Sequence, residues 1–195
     1  GHALGSGSSA LGTSNDSPSR AIYSQYRQLL LNPGDSRFTT AGSGSTESCY
    51  FINFKRNRLR ERLDAGNFEI PISQISASRP ANATGSVSAS RTPGTVFSLI
   101  DDSSLASATV GDSGKIYNIV SGSIDNGVYN STAPIYYGLA YPDHGVLVLD
   151  AKMLDQQLNF QTNTGSNSEG NNHFALYHAI SGSSLKTAPS GDAYG

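Results

Sequence analysis

At 195 residues, with only 14% charged and 36% hydrophobic residues, the chain is long enough to bury a core and too sparsely charged for a typical disordered chain. A formal net charge of −2 removes any global electrostatic case for nucleic acid or an anionic membrane surface. No apolar run approaches the ~20 residues of a membrane span, and no basic-then-apolar signal segment opens the sequence. Cys49 is the only cysteine, which excludes an internal disulfide and a zinc site built on several thiolates.

Residues 1–16 are small and polar, and read as a flexible arm that orders only against something else. Ser17 and Pro18 suit an N-cap and a first helical position. Ile22, Tyr23, Tyr26, Leu29 and Leu30 follow at the spacing of one helix face, and Asn32-Pro33-Gly34 stops the pattern, so a helix is expected over roughly 18–31. Residues 35–47 read as a loop and 48–55 as an aromatic strand. Lys55, Arg56, Arg58, Arg60 and Arg62 then concentrate five of the thirteen basic residues. If that stretch is extended, the four arginines share one face and Leu59 and Leu63 the other. A turn at Asp64–Asn67 leads into the alternating Phe68–Ile72, where Pro71 marks an edge strand. Residues 73–94 read as an exposed loop, 95–101 as a strand, 102–114 as a polar connection and 115–121 as a strand. Asp125-Asn126-Gly127 signals a hairpin.

The stretch from Pro134 to Asp150 is the expected centre of the fold. It reads as a strand, a corner at Tyr141–Gly145, and a buried strand at Val146–Leu149. Residues 151–160 suit a short helix or strand end, and His173–Ile180 is the last structured segment. The expectation is therefore an α+β, mainly β fold with short antiparallel strands, long Gly/Ser-rich loops and one N-terminal amphipathic helix. Residues 17–180 form the domain, and 181–195 a C-terminal loop or a linker to a longer chain. Gly at position 1, and Met153 as the sole methionine, fit a processed product or a piece of a longer polypeptide. The expected core contains Ile22, Tyr26, Leu30, Phe51, Phe54, Phe97, Leu99, Ile119, Leu147, Leu149 and Phe174.

Motifs with chemical meaning are few. Gly111-Asp112-Ser113-Gly114 matches the surroundings of a serine-protease nucleophile, but such a serine needs a histidine base and the only upstream histidine is His2. It reads as a polar turn. Gly5–Ala10 matches a relaxed dinucleotide fingerprint with no strand before it, and reads as part of the arm. His173 and His178 are spaced so that neither helix nor strand brings both to one metal. Asp143-His144 could form a proton-transfer pair but reads as a turn, Asp101-Asp102 as loop carboxylates, and Cys49 as a small buried hydrophobe. Asn15, Asn82 and Asn130 open glycosylation-type triplets, which a chain rich in Ser and Thr produces by chance. No catalytic residue, cofactor or metal site is expected. The strip Arg56, Arg58, Arg60 and Arg62 is the one charge feature suited to binding, because guanidinium forks match acidic side chains of a neighbouring chain.

Several segments together resemble virion structural proteins of contractile-tailed bacteriophages, especially those of cyanobacterial phages. They are GHALGSGS, SRAIYSQYRQLLLNP, CYFINFKRNRLRERLDAGNFEIPIS, SGKIYNIVSGSIDNGVY and IYYGLAYPDHGVLVLDAKML. The resemblance implies a non-enzymatic building block of the tail, around the baseplate or its fibres. It implies other virion proteins as partners, multiple copies in a symmetric particle, and assembly in the host cytoplasm. The alternative is a receptor- or glycan-binding module of a tail fibre, with Tyr129, Tyr136, Tyr137 and Tyr141 stacking on sugars. A hydrolase using Ser113 or the Asp143–His144 pair is a third reading.

Overall fold

Alternation of apolar side chains decides the architecture, and the computed structural model describes it over residues 2–4, 18–46, 48–55, 57, 61–75, 93–157, 176 and 180. The elements are β1 (His2–Leu4), α1 (Pro18–Leu30), β2 (Phe38–Thr40), β3 (Gly44–Thr46), β4 (Ser48–Asn53), β5 (Ile70–Ile75) and β6 (Pro93–Asp101). They continue as β7 (Thr109–Gly111), β8 (Gly114–Ser123), β9 (Gly127–Val128), β10 (Tyr136–Tyr141), β11 (Val146–Asp150) and α2 (Ala151–Gln157). The chain is mainly β. One antiparallel sheet runs in the order β1-β4-β11-β10-β8-β6-β5, with β7 and β9 paired to β8, and β2–β3 form a separate hairpin. Among the described strands β5 ends the path, and Pro71 lies on it.

β11 is buried on both faces. Side chains alternate along a strand, so a strand covered on both sides needs an unbroken apolar run, and Val146–Leu149 supplies one. Val146 and Val148 join one cluster with Tyr23, Leu30, Phe38, Cys49, Leu139 and Tyr141. Leu147 and Leu149 join the other, with Tyr50, Ile72, Leu99, Ile119 and Leu154. That second cluster gathers side chains from β4 near one end of the sheet and β5 at the other, so the sheet curls around it. The Phe54 and Phe68 rings, just after β4 and just before β5, meet edge to face at 6.4 Å across the curl.

Several expectations need correction. Of the N-terminal arm, only residues 2–4 are described, and there β1 pairs antiparallel with β4, His2 opposite Tyr50. Residues 35–47 are not simply a loop, because β2 and β3 lie there. Their polar sequence hides the hairpin, which one phenol staples: Tyr23 Oη donates to Thr46 O at 2.7 Å and accepts from Phe38 N at 3.2 Å. Of the expected core, Leu30, Leu99, Ile119, Leu147 and Leu149 are buried, while Tyr26, Phe51 and Phe54 are half-buried. Ile22 is 38% exposed, because α1 packs on the narrower stripe of Tyr23 and Leu30. The side chain of Phe97, in β6, and the whole of Phe174 lie outside the described residues.

Gly138 marks a close backbone approach in the sheet. The β8–β10 register shifts between Tyr136 and Gly138, and a Cβ at 138 would collide with the backbone carbonyl of Val148. Backbone in a central strand cannot step aside as a flexible side chain would. Gly138→Ala should therefore cost about 1–3 kcal/mol, as overpacking does. An unchanged urea midpoint would contradict the close approach.

Candidate functional site

Three chain reversals meet at one end of the sheet: the C-terminal end of α1, the β7–β8 turn and the β10–β11 turn. The last carbonyls of a helix lack intrahelical partners. Here Ser113 Oγ, in the β7–β8 turn, donates to Leu30 O at 2.8 Å. Asp112 N donates to Asn32 Oδ1 at 3.1 Å, just beyond the helix. From the other side, Asp143 Oδ2 accepts Lys115 N at 3.1 Å. Gly114, at φ +93°, passes so close to the Asp143 carboxylate that a side chain there would displace it. The Gly-Asp-Ser-Gly sequence is thus a turn that docks the helix end, and its serine proton points at a carbonyl. Ser113→Ala should lower stability by about 1 kcal/mol, the usual loss for one hydrogen bond, with the partner carbonyl left unpaired. A folding midpoint indistinguishable from wild type would refute this role.

The remaining acidic candidates are tied into the scaffold. Asp101 and Asp102 were expected as loop carboxylates, yet both are buried at the end of β6. Asp101 accepts Gly66 N at 2.7 Å and Ser103 N at 2.9 Å. Asp102 accepts Asn118 N at 2.9 Å and Asn118 Nδ2 at 2.7 Å, joining β6 to β8. Asp143 and His144 are exposed in the β10–β11 turn. Among the described residues, no group of three His, Cys, Asp or Glu side chains could hold a metal. Cys49 is fully buried, and burial first, then the nearby Asp150 carboxylate, pushes its thiol pKa up. That keeps the sulfur protonated and unreactive.

The tyrosines divide. Tyr129 is 54% exposed and Tyr136 half-buried, but Tyr137 and Tyr141 are buried in β10, between β8 and β11. Neither of those two can offer a ring to a sugar, which corrects the four-tyrosine glycan surface. Burial raises the phenol pKa of Tyr137 and Tyr141, and raises that of Tyr23 to about 12. A phenol whose folded pKa lies above its unfolded one stabilises fully below the unfolded value near 10 and loses that contribution as pH rises. The folded state should weaken from pH 10 towards 12, followed as urea midpoints. Tyr141→Phe should shrink the loss, since Tyr141 Oη has no hydrogen-bond partner among the described residues. A flat alkaline limb would contradict the burial of these phenols.

Of the arginine strip, Arg62 is exposed, while Arg56, Arg58 and Arg60 lie outside the described residues. Leu63 is buried, and its N–H donates to Pro142 O at 2.9 Å, anchoring the end of the strip to the β10–β11 turn. Leu59 also lies outside the described residues.

The surface feature that residue patterning missed is a groove of about 450 Å³ between α1 and β4, lined by Ile22, Gln25, Tyr26, Leu29, Phe51 and Asn53. Its floor is aromatic: the Tyr26 and Phe51 rings stack at 4.1 Å with 12° between planes. Asn53 Nδ2 donates to Tyr26 Oη at its rim. The only hint in the sequence is that the apolar stripe of α1 is wider than one packed face needs. Set against known protein families, characterised proteins and solved structures, the chain has no match.

Proposed function

We propose that the chain is an assembly domain of a contractile-tailed phage virion, placed in the tail around the baseplate or a fibre attachment, acting through protein–protein interfaces. The finer architecture goes with this reading: short strands, long Gly/Ser-rich connections and an amphipathic N-terminal helix. The sequence resemblance supplies the virion setting. The observation that carries the assembly role is the open uncharged groove, where Leu29 stays 53% exposed beside Ile22. Exposed apolar side chains bordering a formed groove fit a partner surface. The reactive-looking side chains, by contrast, serve the fold: Ser113 and Asp143 hold turns, and Asp101 and Asp102 hold strands. The function needs buried interface area and no covalent chemistry. Partners are other virion proteins, in multiple copies. Arg62 and the arginines before it provide a second, basic contact for acidic side chains.

Quantitative proteomics of purified particles from the phage that encodes this chain tests the proposal. The chain should remain in a fixed ratio to tail proteins after high-salt washing. Its absence from particles would end the virion reading. Binding on a glycan array that disappears in Tyr129→Ala would replace it with the receptor-module alternative.

A further inference from the structure

We infer that Asn126, at the tip of the β8–β9 hairpin, is a site of spontaneous modification: its side-chain amide cyclises onto the backbone nitrogen of Gly127, and the ring opens with water to isoaspartate and aspartate. Asn126-Gly127 is the only Asn-Gly pair in the chain. The chemistry needs water alone, so it does not depend on what the chain assembles with.

Glycine is the successor that favours this ring closure, because no side chain crowds the attacking nitrogen. The Gly127 nitrogen loses its proton and bonds to Asn126 Cγ. The Cγ–Nδ2 bond breaks, and Nδ2 leaves as ammonia. Water then opens the cyclic imide at one of its two carbonyls. Breaking the new bond to Cγ gives aspartate. Breaking the original bond to the main-chain carbonyl carbon gives isoaspartate, with the chain now routed through Cγ.

The hairpin both presents this amide and restrains it. Ser123 pairs with Gly127 across the loop at 124–126. Gly127 sits at φ +69° with open space where a Cβ would stand, the left-handed position that closes a three-residue hairpin loop. Asn126 is exposed, but Ser123 Oγ accepts both its N–H and its Nδ2–H, each at 3.1 Å. Tyr129 N donates to Ser121 O two positions along the ladder. Hydrogen-bonded pairs recur every second residue, so the Gly127 N–H is turned towards Ser123. The attacking nitrogen is therefore released only when the end of the hairpin opens. β9 is two residues long, so that opening is local and leaves the sheet folded.

The two products differ in effect. Aspartate keeps the main chain as it was, and its carboxylate can accept from the Ser123 hydroxyl. Isoaspartate adds a methylene to the main chain just before Gly127, which shifts Gly127 out of register with Ser123. Either product makes the formal net charge of −2 more negative by one. The new carboxylate lies next to Asp125, at a tip where Glu69 Oε2 accepts Ile124 N at 3.0 Å, so like charges gather there.

The test is incubation of the full chain in mildly alkaline buffer at physiological temperature, followed by peptide mass spectrometry with fragmentation that separates isoaspartate from aspartate. Asn126 should convert faster than Asn130, which is also exposed but is followed by serine, and isoaspartate should be the major product. Ser123→Ala frees the Asn126 amide and should raise the rate at least threefold, with hydrogen exchange of the Gly127 amide rising in parallel. Asn126→Asp should leave the Gly127 and Tyr129 amides protected. Chains that have accumulated isoaspartate should lose that protection, while the Leu147 amide keeps its own. Conversion no faster than at Asn130, a rate unmoved by Ser123→Ala, or isoaspartate chains with an intact hairpin would each overturn the inference.

Discussion

Replacing Leu147 by alanine should destabilise the chain by about 2–5 kcal/mol, the range for deleting a large buried aliphatic side chain. Leu147 is fully buried in the cluster inside the curl of the sheet. Its backbone is fixed on both sides, opposite Ile52 of β4 and Ala140 of β10. With paired strands on each side and the second core behind, the neighbours cannot collapse into the space, which places the loss towards the upper part of that range. Leu29→Ala is the internal comparison. Leu29 is largely exposed on α1, so its truncation should fall within about 0.5 kcal/mol of wild type. Urea unfolding of both variants reads the difference directly. Similar midpoints for the two would mean that β11 is not where the stability of the sheet resides.

Asp150→Ala should cost about 2–4 kcal/mol, for a different reason. Asp150 ends β11 and caps α2. Its Oδ1 accepts Lys152 N at 3.0 Å and Met153 N at 3.4 Å, satisfying the first free amides of the helix. Its Oδ2 accepts Thr40 Oγ1 at 2.9 Å and also Ser43 Oγ, tying the β2–β3 hairpin to the sheet. Losing an N-cap costs about 1 kcal/mol. Taking the carboxylate acceptor from the buried Thr40 hydroxyl adds about 1–3 kcal/mol. Asp150→Asn keeps an acceptor for the helix amides, and its amide can donate to the two hydroxyls once they rotate. It should therefore retain most of the lost stability. If Ala and Asn lowered the midpoint equally, neither the cap nor the clasp would explain this residue.

Both residues sit in the most legible part of the sequence. An unbroken Val-Leu-Val-Leu run after a Pro-Asp-His-Gly corner can be satisfied only by a strand covered on both faces or by a buried helix. Four residues are too few for the helix. Pro71 spoke for an edge, and Asp125-Asn126-Gly127 for the hairpin that joins β8 to β9, with Gly127 at φ +69°. What stayed hidden depends on distant partners. The β2–β3 hairpin is polar in sequence because Tyr23 and Asp150, far away in the chain, supply the bonds that hold it. The roles of Asp101 and Asp102 are likewise set by amides on other elements. Periodicity identified an apolar helix face but not its packed width, which is why Ile22 is expected in the core and instead borders the groove beside Leu29. The same blindness affected Tyr137 and Tyr141: a tyrosine next to a turn signal looks exposed until the strand that carries it is seen between two others.

Amide hydrogen exchange on the isolated full chain tests most directly whether β11 organises a domain that stands without partners. Exchange from the most buried strand should require global opening. The Leu147 and Leu149 amides should be among the slowest in the chain, with their opening free energy matching that from urea unfolding. Rapid exchange along Val146–Leu149, with protection elsewhere, would contradict a fold built around this strand.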